Sequence, residues 1–155
     1  MAATKTRLKS DLADALRAKN EFAKSTIRML LAAITVEEVA GDVARELNDD
    51  EELAVITKEQ RKRRDSAETY AEAGRQELAD KENAEAEFMA AYLPAPLTSE
   101  ELDELVSAEI AKARESGESL SMKHMGSLVK AVNAVARGRA PGAEIAARVK
   151  AALQG

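Results

Sequence analysis

Residues 1–93 contain no proline and only two glycines, Gly41 and Gly74, and this scarcity of chain breakers constrains the fold more than any other feature. The region reads as long helices. The segment Leu93-Pro94-Ala95-Pro96 reads as a stiff linker, because a residue before proline is pushed out of the helical region. Strong helix formers (Ala, Leu, Glu, Lys, Arg) dominate, while β-branched and aromatic residues are few. Of 70 hydrophobic residues 32 are alanine, so only 38 larger apolar side chains are available for a core. The expected class is all-α, with a thin core in which helices approach through small residues.

Several functions are excluded at this level. The longest apolar runs, Met29 to Ile34 and Phe88 to Leu93, have six residues each, against the ~20 of a membrane span. No apolar targeting segment opens the chain, so a cytoplasmic protein with no membrane partner is expected. There is no cysteine, hence no disulfide, thiolate nucleophile or Cys-based metal site, and the single histidine, His124, disfavours a metal centre or a His-dependent triad. No glycine-rich phosphate loop, nucleophile elbow or HExxH pattern is present. No catalytic residue, cofactor or metal is therefore assigned. The net charge of −5 resides in residues 1–95, whereas residues 120–155 hold six Lys or Arg against Glu144 alone. Such a basic end can bind polyanions whatever the global charge.

Spacing predicts seven helices. The first spans about Thr6 to Lys19 with Leu8, Leu12 and Leu16 on one face; the second, about Glu21 to Val39, carries Ala23, Ile27, Leu30, Leu31 and Ile34. The third starts at the acids Asp49 to Glu52, suited to a helix N-terminus, and runs through Leu53, Ile56, Ala67 and Tyr70 to Gly74. The fourth, near Gln76 to Tyr92, offers Leu78, Ala84, Phe88 and Met89. Thr98 and Glu101 have capping-box spacing at the head of the fifth, which carries Leu102, Val106, Ile110 and Ala113 and stops at Gly117. Ser121 caps a sixth with the stripe Met122, Met125, Val129, Val132 and Ala136; Gly126 inside it costs roughly 1 kcal/mol against Ala, which predicts close helix contact there. After the turn Arg137 to Gly142, with Pro141 at the first helical position, the last helix carries Ile145, Val149 and Leu153. The organisation expected is a long-helix N-terminal subdomain (1–93), a Pro-containing linker (94–97) and a three-helix tail subdomain (98–155).

The ordered set Ser25-Thr26-Ile27-Arg28-Met29-Leu30-Leu31-Ala32-Ala33-Ile34, Arg61-Lys62-Arg63-Arg64-Asp65-Ser66, Ala73-Gly74-Arg75, Lys81-Glu82, Tyr92-Leu93-Pro94, Met125-Gly126 and Arg137-Gly138-Arg139-Ala140 with Gly142 resembles the GatB/YqeY family across essentially the whole chain. The resemblance is to stand-alone YqeY-like proteins, related to the C-terminal domain of the GatB subunit of glutamine-dependent tRNA amidotransferase. It implies the multihelical GatB/YqeY motif, a tail that meets the tRNA body, and an association with carbon–nitrogen ligase activity whose catalysis lies in other regions. An amidotransferase or an aminoacyl-tRNA synthetase is the protein partner it implies. His124 stands where the family commonly has an acid, Ser127 where it has Lys, and Pro141 where it has Asp.

Two basic groups are candidate phosphate contacts. Lys58, Arg61 and Lys62 fall on the face of the third helix opposite Leu53, Ile56 and Ala67, a stripe able to follow a phosphate backbone. Equally, Arg61–Asp65 and Arg64–Glu68 are i,i+4 pairs that support the helix, and Arg63 packs its stem beside the apolar stripe. In the tail, Arg137 and Arg139 flank Gly138 before the seventh helix, with Lys123, Lys130 and Lys150 adding charge. Their alternative role is capping the carbonyls that end the sixth helix. With no aromatic platform nearby, the shape and phosphates of folded, double-stranded RNA suit this region better than unstacked bases. His124 reads as a surface or capping residue, and the acidic clusters 49–52 and 100–104 as helix-start charge rather than magnesium sites. The leading reading is a non-catalytic tRNA-binding or accessory protein. The alternative is a helical interaction module that binds a partner subunit or itself without RNA. A ligase or amidase in its own right is opposed by the lack of an activated nucleophile or ATP site.

Overall fold

The computed structural model describes residues 2–117 and 119–155; Met1 and Glu118 lie outside the described residues. Among these, seven α-helices and one 3-10 turn are present, with no strand: α1 Ala3–Ala18, α2 Glu21–Glu38, α3 Asp49–Glu72, α4 Gln76–Ala90, α5 Ser99–Glu115, the 3-10 turn Met122–His124, α6 Met125–Ala136 and α7 Gly142–Gln154. The all-α expectation holds. The chain divides into two compact units, Met1–Pro94 and Ala95–Gly155.

In the first unit, α3 and α4 form a hairpin turned by Gly74, whose φ of 75° suits a residue without a Cβ. Gln60 Nε2 donates to the Ala86 carbonyl (3.0 Å) and Arg63 lies 3.2 Å from Glu85, so paired residue numbers run in opposite senses and the hairpin is antiparallel. The core gathers Leu8, Ala15, Ile27, Leu30, Ile34, Leu47, Ile56 and Met89. Tyr92 closes it: its hydroxyl donates to Asp11 Oδ2 (2.5 Å), and the Arg7 guanidinium stacks 4.5 Å from its ring. Burial first, and then the Asp11 bond, push that phenol above its ordinary pKa.

The start of α1 explains a miss. The sequence predicts a helix from Thr6, yet α1 begins at Ala3 with no side chain of its own capping it. The cap comes from α3. The Ala3 N–H donates to Asp49 Oδ1 (2.8 Å) and the Lys5 N–H to Glu52 Oε1 (2.9 Å), while Lys5 Nζ grips Glu38 at the end of α2 (2.8 Å). The acids expected only to favour the start of α3 therefore serve two helix N-termini, and Glu52 is 1% exposed. The start of α3 is itself closed by an Asn48–Glu51 capping box. Arg45 holds Glu51 in a bidentate pair, and that bond with the Asn48 N–H pulls its carboxyl down to about 2.

In the second unit, α5, α6 and α7 enclose Leu102, Val106, Ile110, Leu128, Val132, Ala136, Ile145 and Val149. The expected Thr98–Glu101 box forms in both directions at 3.1 Å. Arg148 on α7 donates to the Ser99 carbonyl and hydroxyl and pairs with Asp103, tying α7 to the head of α5. Four sequence readings are corrected. Leu16 is 47% exposed, because α1 buries Ala15 beside Leu8 instead. Ala84 is exposed while Ala79, Glu85, Ala86 and Met89 face inward, and Met122 is 41% exposed in the 3-10 turn. Gly126 makes no close helix contact: a Cβ there would meet nothing within 4 Å.

Glu52→Ala is expected to lower unfolding stability by about 2 kcal/mol in urea titration, since the Lys5 N–H loses a buried, charged acceptor. Acidification from about pH 4.5 toward pH 2 is expected to loosen the start of α3. A carboxyl depressed in the folded state contributes stability above its unfolded pKa and loses it as pH falls through the folded value; the Glu51→Gln variant removes that part of the acid transition followed by circular dichroism.

Candidate nucleic-acid interface

The basic tail is built around the end of α6. Helix α6 stops because Arg137 adopts the left-handed conformation (φ 50°, ψ 44°), its N–H donating to the Asn133 carbonyl, and Gly138 follows at φ 80°. Arg137 is exposed. Arg139 differs: half-buried, its Nε donates to the Ala95 carbonyl (2.8 Å) and its own carbonyl accepts the Leu97 N–H (2.8 Å). It braces the segment leading into α5 against the α6–α7 turn. Glu101 lies within its field, although the Thr98 bonds are what chiefly depress that carboxyl. The two arginines that spacing makes equivalent thus differ in burial: Arg137 is exposed, and Arg139 is half-buried and fastens the unit. At α7, Gly142 is the first helical residue and Pro141 the cap, one position from expectation. Glu144 already places a carboxylate in that first turn.

Lys123, Lys130 and Lys150 are exposed, and among the described residues no hydrogen bond or ion pair holds any of them. They do not gather into one cluster with Arg137. Lys123 precedes α6 and Arg137 ends it, and the 12 residues between the ends of α6 rise about 18 Å. Lys123 lies in the 3-10 turn before α6, Lys130 on the helix and Arg137 at its left-handed cap. His124 takes the capping alternative, its Nδ1 accepting the Ser121 N–H (3.1 Å), with a shallow cavity of about 370 Å³ beside it lined by Lys112, Ser116, Ser127 and Leu128.

On α3, Lys58 and Arg61 are exposed and Lys62 pairs with Glu59 (3.2 Å). Neither expected pair, Arg61–Asp65 or Arg64–Glu68, is among the ion pairs; Arg64 instead reaches toward Glu87 on α4 (4.0 Å). The sequence shows Arg63 only as a packed stem. Its head is the hub of a half-buried cluster, 3.4 Å from Glu59, 3.2 Å from Glu85 and 3.9 Å from Glu82, with one N–H on Met29 Sδ. Burial, and then Glu82, raise the Glu85 carboxyl above its ordinary value, with Arg63 opposing. No local spacing announces this cluster, because its acids come from another helix. The same holds for Arg148, whose partners lie 45 and 49 residues away.

Among the described residues no group of His, Asp and Glu has the arrangement of a metal site. No helix is long and apolar enough to cross a membrane. The helical fold and these motifs agree with comparison to known proteins. The family model described as Yqey-like protein matches residues 5–153, and the chain belongs to that family. It is also 33% identical over 118 residues to altered inheritance of mitochondria protein 41, mitochondrial, of Lachancea thermotolerans, a match covering 75% of this chain and 63% of the relative. The chain thus spans less than two thirds of that relative's length.

Arg63→Met is expected to destabilise the first unit by about 3 kcal/mol at neutral pH, because three carboxylates then pack without their cation. The loss is expected to shrink as the pH falls, because Glu85, whose carboxyl burial holds above its ordinary value, takes up a proton; thermal melts at neutral and acidic pH check it.

Proposed function

We propose that the protein is a non-catalytic tRNA-binding accessory protein of glutamine-dependent amidotransfer, docking on tRNA through the basic surface of its second unit. Its relation to the C-terminal domain of GatB supports an accessory role beside a carbon–nitrogen ligase, with an amidotransferase or an aminoacyl-tRNA synthetase as protein partner and the cytoplasm as its place. The observation that carries the reading is the charge around α6: among the described residues Lys123 and Lys130 are exposed and unpaired, Arg137 is exposed, and residues 119–143 contain no acid. Arg137 also keeps a side chain in the left-handed region, which costs about 1 kcal/mol against glycine.

Arg137→Gly separates fold from function. The variant is expected to be more stable by about 1 kcal/mol in thermal unfolding. Its tRNA affinity in gel shift is expected to fall roughly fivefold, with the slope of log affinity against log salt reduced by about one. A wild-type protein with no salt-sensitive tRNA shift at low salt overturns the proposal. A second reading, a protein-interaction module, is favoured by Val36, Val39 and Val43, which stand 66%, 58% and 78% exposed around the end of α2. Partners that survive ribonuclease in a pull-down would support it.

A further inference from the structure

The three most exposed large apolar side chains among the described residues all lie between positions 36 and 43: Val36 at 66%, Val39 at 58% and Val43 at 78%. Helix formation does not account for them. Valine is a poorer helix former than alanine or glutamate, and Val43 stands outside any helix. Packing does not account for them either, since α2 turns Ala23, Ile27, Leu30 and Ile34 to the core. The segment that carries them is nonetheless firmly held. The Arg45 N–H donates to the Glu38 carbonyl (3.0 Å), which closes residues 39–44 back on the end of α2, and Leu47 just beyond is buried in the core of the first unit. An apolar surface on an anchored loop loses little freedom on meeting a partner, so even modest contacts there yield net binding.

Charge identifies the partner. Residues 36–52 hold eight acids against Arg45 alone, and no other cation occurs between Arg28 and Lys58. Four of those acids are occupied within the fold: Glu38 by Lys5, Asp49 by the Ala3 N–H, Glu51 by Arg45 and Glu52 by the Lys5 N–H. Arg45 is taken by Glu51 through two guanidinium nitrogens, with Glu37 adding to the field around it. Glu37 and Asp42 adjoin Val36 and Val43 in the chain; both are exposed, and among the described residues neither makes a hydrogen bond or an ion pair. Such a surface repels a nucleic-acid backbone and an anionic membrane alike. A small cation would leave the valines uncovered. What covers both features is a polypeptide segment with apolar and cationic side chains side by side.

We propose that residues 36–46, the end of α2 and the loop after it, form a docking surface for a cationic, apolar-bearing segment of a partner protein. This rests on the interaction-module reading above and adds to it which face is used and what chemistry the partner brings. Val36, Val39 and Val43 cover its apolar side chains. Glu37 and Asp42 steer and hold its cations, a share that weakens with salt.

The test titrates the full chain with a fluorescein-labelled synthetic amphipathic peptide of leucine and lysine, and with a counterpart carrying glutamate for lysine, by anisotropy. Two variants are compared, Val36→Ser/Val39→Ser/Val43→Ser and Glu37→Gln/Asp42→Asn, with folding checked by circular dichroism; both change exposed side chains only. The wild type is expected to bind the lysine peptide and not the glutamate peptide, with amide resonances of residues 36–46 shifting on titration. The valine variant is expected to lose about tenfold in affinity, and the carboxamide variant about fivefold with a flatter salt dependence. No binding of the lysine peptide by the wild type, equal binding of the two peptides, or wild-type affinity in either variant overturns the proposal. If the valine variant keeps every ribonuclease-resistant partner of the wild type, this face is overturned as their dock and the interaction-module reading stands. If the wild type has no such partner and binds neither peptide, both fall. A wild-type dimer in light scattering that the valine variant turns into a monomer overturns the cationic segment as occupant in favour of a second copy.

Discussion

With 38 large apolar side chains to serve seven helices, the two apolar cores are small and leave much of each helix outside them. Charged side chains make up the difference by reaching across to backbone carbonyls, N–H groups and one another. Lys5 grips Glu38, Glu52 receives the Lys5 N–H, Arg7 reaches the Ala91 carbonyl, and Arg63 gathers Glu59, Glu82 and Glu85. In the second unit Arg139 and Arg148 do the same work on Ala95, Ser99 and Asp103. This constraint sorts the basic residues. A cation occupied in fastening helices is a poor phosphate ligand, since moving it exposes a cost inside the fold. Those left on the surface with no such duty are the ones a ligand can use.

The helices were legible wherever their signals are local. The acids Asp49 to Glu52 open α3, the Thr98–Glu101 box forms as its spacing implies, and Gly74 and Gly117 stop their helices at positive φ. What stayed hidden is whatever depends on a distant partner. The first turn of α1 has no residue that predicts it, because its caps, Asp49 and Glu52, arrive from the start of α3. Glu85 gives no periodic hint of burial, since an inward carboxylate is tolerable only with Arg63 across the hairpin. Leu16 fails for the opposite reason: four-residue steps drift off the face of a straight helix, and Ala15 takes the inward place.

The candidate surface was legible as charge but not as geometry. Counting cations finds the basic tail, yet it treats Arg137 and Arg139 as a pair. The turn decides otherwise, because the backbone at Arg139 is bonded into the segment before α5, which brings its guanidinium to Ala95, while Arg137 sits two residues earlier, at the start of the left-handed pair Arg137-Gly138. Gly126 was misread on the rule that a helical glycine marks close packing. The rule fails here because α6 packs its opposite side against its neighbours.

The global charge of −5 and pI near 5.1 do not weigh against a polyanion partner. At physiological ionic strength an exposed charge is felt over about 8 Å, so a phosphate against α6 responds to what lies within a turn or two of it. On that scale the exposed lysines Lys123 and Lys130 count most, with Glu144 the nearest acid in the chain after them. The acids of the second unit that the sequence places in a cluster stand at the head of α5, where Glu101 is spent on the Thr98 cap and Asp103 on Arg148. A carboxylate fixed by an N–H or a guanidinium offers less repulsion to an incoming anion than an unpaired one. The same economy that turns some arginines into helix fasteners thus also occupies Glu101 and Asp103 at the head of α5, while Lys123 and Lys130 stay exposed on an acidic protein.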